Sequence, residues 1–375
     1  MRPLVSFFLV ILSAVAIAAQ TDPKPSPTPN TDEQERVRVF TEEVRLPVVA
    51  TDAGGHYDAA LEADEVLVLE DGEPQQIRSI QHLPTNVLLL LDLGNALGLK
   101  DTNLTRALAT RVIGSLHPDD RIAVMQFATR PELLQKWTTD RAALAKILAP
   151  KGKLIAGKNS RLADAIVAAA AQFKDTPAGT RHIVLITDGV EAPGSRISIT
   201  EAVKQLNSVQ ATVHIISYTA LARTTLQTNN KIVRGGDGVQ RDGNPASNPV
   251  ANGDPTLPPG ATRTPVFKIG SIDTDVAMRR KKKEYERATK EAEQKLTEIA
   301  EDSGGRIIIS ETPENLLAQA DSITRDIGAQ YVITYRPRRP LSAAKPGEYR
   351  RIEVAARRVG LYLRSRKGYV VPAQE

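Results

Sequence analysis

Asn86-Val87-Leu88-Leu89-Leu90-Leu91-Asp92-Leu93-Gly94-Asn95-Ala96 is the stretch that decides the fold. Its apolar run has no polar alternation, the pattern of a strand covered by helices on both faces of a parallel sheet. It ends in a carboxylate, Asp92, and doubly wound sheets bind their ligands at the carboxyl ends of the strands. A second run, His182-Ile183-Val184-Leu185-Ile186-Thr187-Asp188-Gly189, repeats the pattern and ends in Asp188. Two buried strands therefore deliver one aspartate each to the same rim.

Outward from these runs, strands and helices alternate between Asn86 and Tyr218, which predicts an α/β fold: a doubly wound, mostly parallel sheet with crossover helices. Strands are expected at 87–92, 121–128, 182–188 and 212–218, and helices at 104–116, 140–148, 161–174 and 200–209. From 223 to 273 the pattern stops in favour of Gly, Pro, Asn and Thr, the composition of a disordered insertion or a binding loop. A long helix is expected from Asp275, with Tyr285, Ala288, Ala292, Leu296 and Ile299 at helical spacing for packing on the sheet and Ser303-Gly304-Gly305 to end it. A strand at 306–310 and a helix opened by the cap Thr312 and Pro313 complete this domain.

The flanks read differently. Before the α/β domain, short alternating runs at 37–40, 44–50, 65–70 and 75–80 surround a hairpin signal, Asp71-Gly72. After it come β-like runs at 331–335, 349–356 and 361–371, and the two β segments are expected to pair into one accessory unit. The expected organisation is a signal peptide at 1–19, a Pro-rich linker at 20–35, a β segment at 36–84, the α/β domain at 85–330 with its insertion at 223–273, and a β segment at 331–375.

Composition bounds the function. The first residues have one basic side chain, Arg2, an apolar core and an Ala-Ile-Ala end, the layout of a secretory signal. The apolar run is shorter than the roughly 20 residues a spanning helix needs, so no stable membrane span is expected after cleavage, and a periplasmic or secreted location follows. Zero cysteines exclude disulfides, thiol catalysis, cysteine-held metals and a lipid-modified N-terminal cysteine. The net charge is +5, but 44 acidic residues are interspersed with 49 basic ones and only 4% of residues are aromatic, which argues against a nucleic-acid partner. The sharpest basic runs are Arg279-Arg280-Lys281-Lys282-Lys283 and the C-terminal region from Arg336 onward, both expected as solvated faces that could favour an anionic surface.

The two rim aspartates carry a resemblance. A first strand ending in Asp-x-Ser-x-Ser, a later loop threonine and an Asp-Gly after a central strand make up the metal-ion-dependent adhesion site of von Willebrand factor A domains. The sequence resembles that family from Val87 to about Gln330. It is similar in particular to the acidobacterial von Willebrand factor A-related subfamily, through Glu70-Asp71-Gly72-Glu73-Pro74-Gln75, Gln330-Tyr331-Val332-Ile333-Thr334-Tyr335, Tyr349-Arg350-Arg351-Ile352-Glu353-Val354 and Arg366-Lys367-Gly368-Tyr369. The resemblance implies a protein-recognition module whose Mg²⁺ or Mn²⁺ would be held by Asp92, Ser160 and Asp188, with Ser160 at the threonine position. The pattern is degenerate here: Gly94 and Ala96 replace the expected serines and offer no hydroxyl. A divalent cation that wants six oxygens then has three protein ligands and water, with the carboxamide of Asn95 as a further candidate. The balance of donors favours no resident cation, which leaves a metal-free docking platform.

Competing chemistry is thin. Gly152-Lys153-Leu154-Ile155-Ala156-Gly157-Lys158 fits the start of a phosphate-binding loop, but Asn159 stands where Ser or Thr should hold the metal and a helix-like stretch precedes it. His182 and His214 fall within strands and are expected as core residues. Acidic pairs such as Asp119-Asp120 are expected to be solvated, and Asp237 and Asp242 in the insertion are weak calcium candidates. The reading is therefore an exported, non-enzymatic protein-binding module. Its alternatives are a metal-free cell-envelope scaffold and an NTPase, and the sequence names neither partner nor oligomeric state.

Overall fold

Strand and helix positions follow the hydrophobic pattern closely. The computed structural model describes residues 42–95, 101–174, 176, 178–230, 276–345 and 347–371, all within the second of two units, Glu42–Glu375, into which the chain divides. The expected signal peptide, the Pro-rich linker, the run at 37–40, Ala96, and Asp237 and Asp242 lie outside the described residues.

In chain order the accessory β1 (Val44–Thr51), β2 (Val66–Glu70), β3 (Glu73–Pro74) and β4 (Gln76–Gln81) lead into β5 (Thr85–Asp92). There follow α1 (Thr102–Ser115), β6 (Arg121–Phe127), β7 (Pro131–Thr138), α2 (Arg141–Leu148), α3 (Leu162–Ala171), β8 (Thr180–Thr187), α4 (Ile199–Ser208) and β9 (Thr212–Ser217). The chain continues through α5 (Thr219–Asn230), α6 (Val276–Asp302), β10 (Ile307–Ile309), α7 (Pro313–Gly328) and β11 (Gln330–Arg336). It closes with β12 (Tyr349–Ala356), β13 (Tyr362–Ser365) and β14 (Gly368–Val370).

The central sheet has the order β10-β9-β8-β5-β6-β7. All its pairs are parallel except β7 against β6. Every residue of β5 is buried, and its side chains alternate between two cores as a strand must. Val87, Leu89 and Leu91 pack with α1, α2 and α7, whereas Leu88 and Leu90 pack with α3, α4 and α6. The chain leaves β5 for β6 on one side and later returns to β8 on the other. That reversal opens a crevice at the carboxyl ends of β5 and β8, where Asp92 and Asp188 sit.

Two expectations need correction. Residues 223–230, read as the start of a structureless insertion, are helical and belong to α5. Thr219, Ala220, Ala222 and Leu226 are buried, a helical spacing that the polar residues between them hide. β7 was not expected at all: its burial is mixed along an edge strand, so it has neither a clean alternation nor a buried run.

The flanking β segments do pair, in two sheets of order β13-β1-β11-β4 and β14-β12-β2-β3 instead of one. Asp71 and Gly72 both take positive φ, +51° and +84°, as the expected tight hairpin requires. The returning strand stays beside β2 only at Glu73 and Pro74, after which β4 joins β11 in the other sheet. Between the sheets lies a charged core. Arg350 and Glu70 form a buried 2.8 Å ion pair, Tyr335 and Tyr369 donate to the same carboxylate, and two further carbonyls accept from Arg350.

Candidate functional site at the carboxylate rim

Asp92 ends β5 and is buried, as are Ser160, Thr187 and Asp188. The register sets Leu91 beside Ile186, so the next residues along, Asp92 and Thr187, meet across the crevice. Thr187 Oγ1 donates to Asp92 Oδ2 at 2.7 Å. The other oxygen, Oδ1, accepts from Ser160 Oγ at 2.6 Å and from the Gly94 amide at 3.0 Å. Asp188 is held in the same way: Oδ1 accepts from the Val190 amide at 3.1 Å and Oδ2 from the hydroxyl of Tyr285 on α6. Burial and the adjacent Asp188 carboxylate push the Tyr285 phenol well above its usual pKa, so it stays protonated and donates. Tyr218, also buried, is raised by burial and bonds Thr105 Oγ1 at 2.9 Å.

Backbone bonds stitch the rim loops to each other. Gly94 and Gly157 form a parallel bridge, with the Asn95 amide donating to Gly157 O at 2.8 Å and the Gly157 amide to Leu93 O at 2.9 Å. Arg161 N donates to Ala128 O and Ala192 N to Ser160 O at 2.7 Å. This closure explains Gly94. A Cβ there would lie 2.2 Å from Ser160 Oγ and 2.5 Å from the carbonyl carbon and oxygen of Asn159, so no side chain fits while the loops are joined.

The three residues expected to hold a cation, Asp92, Ser160 and Asp188, are thus brought to one rim, but as members of a hydrogen-bonded network. All four carboxylate oxygens already accept bonds from the protein's own amides and hydroxyls. Gly94 has no room for a serine, and Ala96 lies outside the described residues. Among the described residues no group of three or more His, Asp or Glu side chains has the arrangement to hold a metal. The donors as arranged do not fit the six-oxygen shell of Mg²⁺ or Mn²⁺. Asn95 enters the rim through its backbone amide.

Three rim residues escaped the sequence reading. Thr187 was legible as a polar residue inside an otherwise apolar strand. Tyr285 was read as packing because it shares a helical stripe with Ala292 and Leu296, both of which do pack, against Gly189. Glu191 donates nothing to the rim carboxylates but accepts from the Ala163 amide at 3.0 Å, holding the start of α3.

With this geometry in hand, residues 87–191 match the family model described as the von Willebrand factor type A domain. The chain carries a von Willebrand factor type A domain. An aerotolerance-related membrane protein from Bacteroides fragilis is 17% identical over 65% of this chain and 98% of its own, with a TM-score of 0.38. BatB from Bacteroides thetaiotaomicron, at 17% identity, covers 65% of this chain and 99% of its own with the same score, 0.38. The PilB minor pilin from Streptococcus sanguinis is 12% identical over 66% of this chain and 62% of its own, with a TM-score of 0.39. No curated protein matches the sequence.

The remaining expectations sort by burial. His182 and His214 are fully buried with rings stacked at 5.6 Å, and burial lowers both pKa values, that of His214 to about 3. Asp120, expected to be solvated, is buried; it accepts from the His117 amide, and burial raises its pKa. The phosphate-loop candidate is spent on capping. Gly152 N bonds Ala149 O at 2.7 Å and Lys153 N bonds Ile147 O at 3.0 Å, so these amides close the end of α2 and cannot cradle a phosphate.

Proposed function

We propose that the chain is an exported, non-enzymatic protein-binding module whose von Willebrand factor type A rim is held together without a cation. One observation carries this reading. The four oxygens of Asp92 and Asp188 accept hydrogen bonds from Ser160, Thr187, Tyr285 and the amides of Gly94 and Val190, so the chain's own groups fill the places where a metal and its waters would otherwise stand. Recognition then falls to side chains around the rim. The loop at 149–161 presents Lys158 and an Ile155 that is 68% exposed, and exposed loops on a rigid scaffold are where binding residues concentrate. Export rests on the charge and apolar pattern of the first residues. Among the described residues no helix is long and apolar enough to cross a membrane. The NTPase alternative loses its support with the capping role of Gly152 and Lys153.

Calorimetric titration of the full chain with Mg²⁺ and with Mn²⁺, beside Asp188→Ala, tests the metal-free rim. The expected result is no binding heat and no shift in melting temperature for either protein. Saturable binding by the parent that disappears in Asp188→Ala would refute it. A mature N-terminus near Ala19 or Gln20 on secreted material supports export, and retention of Met1 counts against it.

A further inference from the structure

The start of α6 is strongly basic. The positive end of a helix favours carboxylates, by about 0.3–1 kcal/mol each. α6 has no acidic residue in its first turn, although Asp273 and Asp275 precede it in the sequence, and Arg279-Arg280-Lys281-Lys282-Lys283 follow directly. Arg280 and Lys283 are three apart and Lys283 and Arg287 four apart, spacings at which like charges repel on a helix surface, while Glu284 and Glu286 stand at the same spacings from Arg280 and Lys283 and partly offset them. Arg280, Lys281 and Lys283 are exposed, and none makes an ion pair among the described residues. The ion pairs within α6 start further along, Lys290 with Glu286 at 3.9 Å and Arg287 with Glu291 at 3.6 Å.

The turn is nevertheless mounted firmly beside the rim. Tyr285 bonds Asp188, and Glu293 accepts from Thr219 Oγ1 at 2.5 Å and from Arg223 at 2.8 Å, tying α6 to α5. Ala292 and Leu296 lie against Gly189. Lys281 stands four residues before Tyr285, one helical turn outward on the face that meets Asp188. A rigidly anchored helix therefore presents three exposed cations, Arg280, Lys281 and Lys283, beside the rim.

We propose that the basic turn around Arg280, Lys281 and Lys283 is a docking surface for an acidic protein segment. This rests on the protein-binding reading above and adds the partner's chemistry. Opposed charge is what selects and steers such a partner. A membrane-surface helix would pair its basic face with large apolar side chains for insertion, and residues 279–284 are all charged. Single-stranded nucleic acid would want aromatic platforms, and the aromatic of this turn, Tyr285, is engaged with Asp188.

The test is fluorescence anisotropy of a labelled oligoglutamate peptide with the full chain, in EDTA, at low and high salt. Three proteins are compared: the parent, Arg280→Glu/Lys281→Glu/Lys283→Glu, and a control with the same charge change on the accessory sheets, Lys345→Glu/Arg351→Glu/Arg357→Glu. The α6 variant is expected to lose at least about tenfold in affinity and the control less than about twofold, with binding by the parent weakening as salt rises. Glutamates at the start of α6 suit the helix, and circular dichroism checks that the variant folds; the Gln triple at the same sites is expected to lose binding as well. Absence of peptide binding, equal loss in both variants, or full binding by the α6 variant would overturn the proposal. So would parent binding to phosphatidylserine vesicles, abolished in the α6 variant, without peptide binding. Because chelator is present throughout, this result and the metal titration can fail independently.

Discussion

Restoring a serine at position 94 should damage the rim instead of rebuilding a metal site. The Cβ of Gly94→Ser would fall 2.2 Å from Ser160 Oγ and 2.5 Å from the Asn159 carbonyl. Swinging Ser160 aside relieves the first contact but removes its bond to the Asp92 carboxylate, about 1.5–3 kcal/mol for a charged acceptor. The second contact is with backbone, so the 157–160 segment must also shift and strain the Gly94–Gly157 bridge; overpacking of this kind costs about 1–3 kcal/mol. The expected loss is about 3–5 kcal/mol in the urea unfolding of the α/β domain. The chain's single tryptophan reports on it, because Trp137 lies on β7 of the central sheet and packs against Phe173. Gly94→Ala separates the causes: the clash comes from Cβ, so alanine should destabilise nearly as much as serine. Unchanged stability in both variants, or a gain of stability on adding Mg²⁺ to the serine variant, would refute the closed-rim argument.

Tyr285→Phe removes a side-chain donor to Asp188 and should lower stability by about 1.5–3 kcal/mol, with faster amide exchange in α6 as the local readout. The buried histidines set an acid limit. The folded pKa of His214, about 3, lies below the unfolded value near 6.5, so stability is full above pH 6.5 and falls with pH at about 1.4 kcal/mol per unit, roughly 3 kcal/mol by pH 4.5. His214→Leu should flatten urea midpoints over that window, and an unchanged slope would contradict the assignment. Glu70→Ala leaves the buried Arg350 guanidinium without its carboxylate and should cost about 3–5 kcal/mol, whereas a double variant with Arg350→Met should recover much of it.

What the sequence made legible follows from which signals are local. β5 and β8 could be read because full burial leaves an unbroken apolar run, and Asp92 and Asp188 because each interrupts such a run at its carboxyl end. Thr312 and Pro313 marked the start of α7 because capping is written in adjacent residues. β7 was missed because an edge strand keeps too few buried positions to show its period, and α5 because polar residues hide the helical spacing of its buried ones. The missing hydroxyls argued for a metal-free rim, but its closed geometry could not be read, since it depends on approaches between segments far apart in the chain. Gly94 looked like a lost ligand, yet its lack of a side chain is what lets Asn95 and Gly157 pair across the loops. Tyr285 looked like packing, yet it reaches Asp188 from a helix that begins beyond the insertion. Gly94 and Tyr285 belong to one arrangement. In the metal-free rim proposed above, hydroxyls and amides satisfy the two buried carboxylates in a cation's place. Any positive charge offered to a partner must then come from side chains, and α6 places such charges one helical turn past Tyr285.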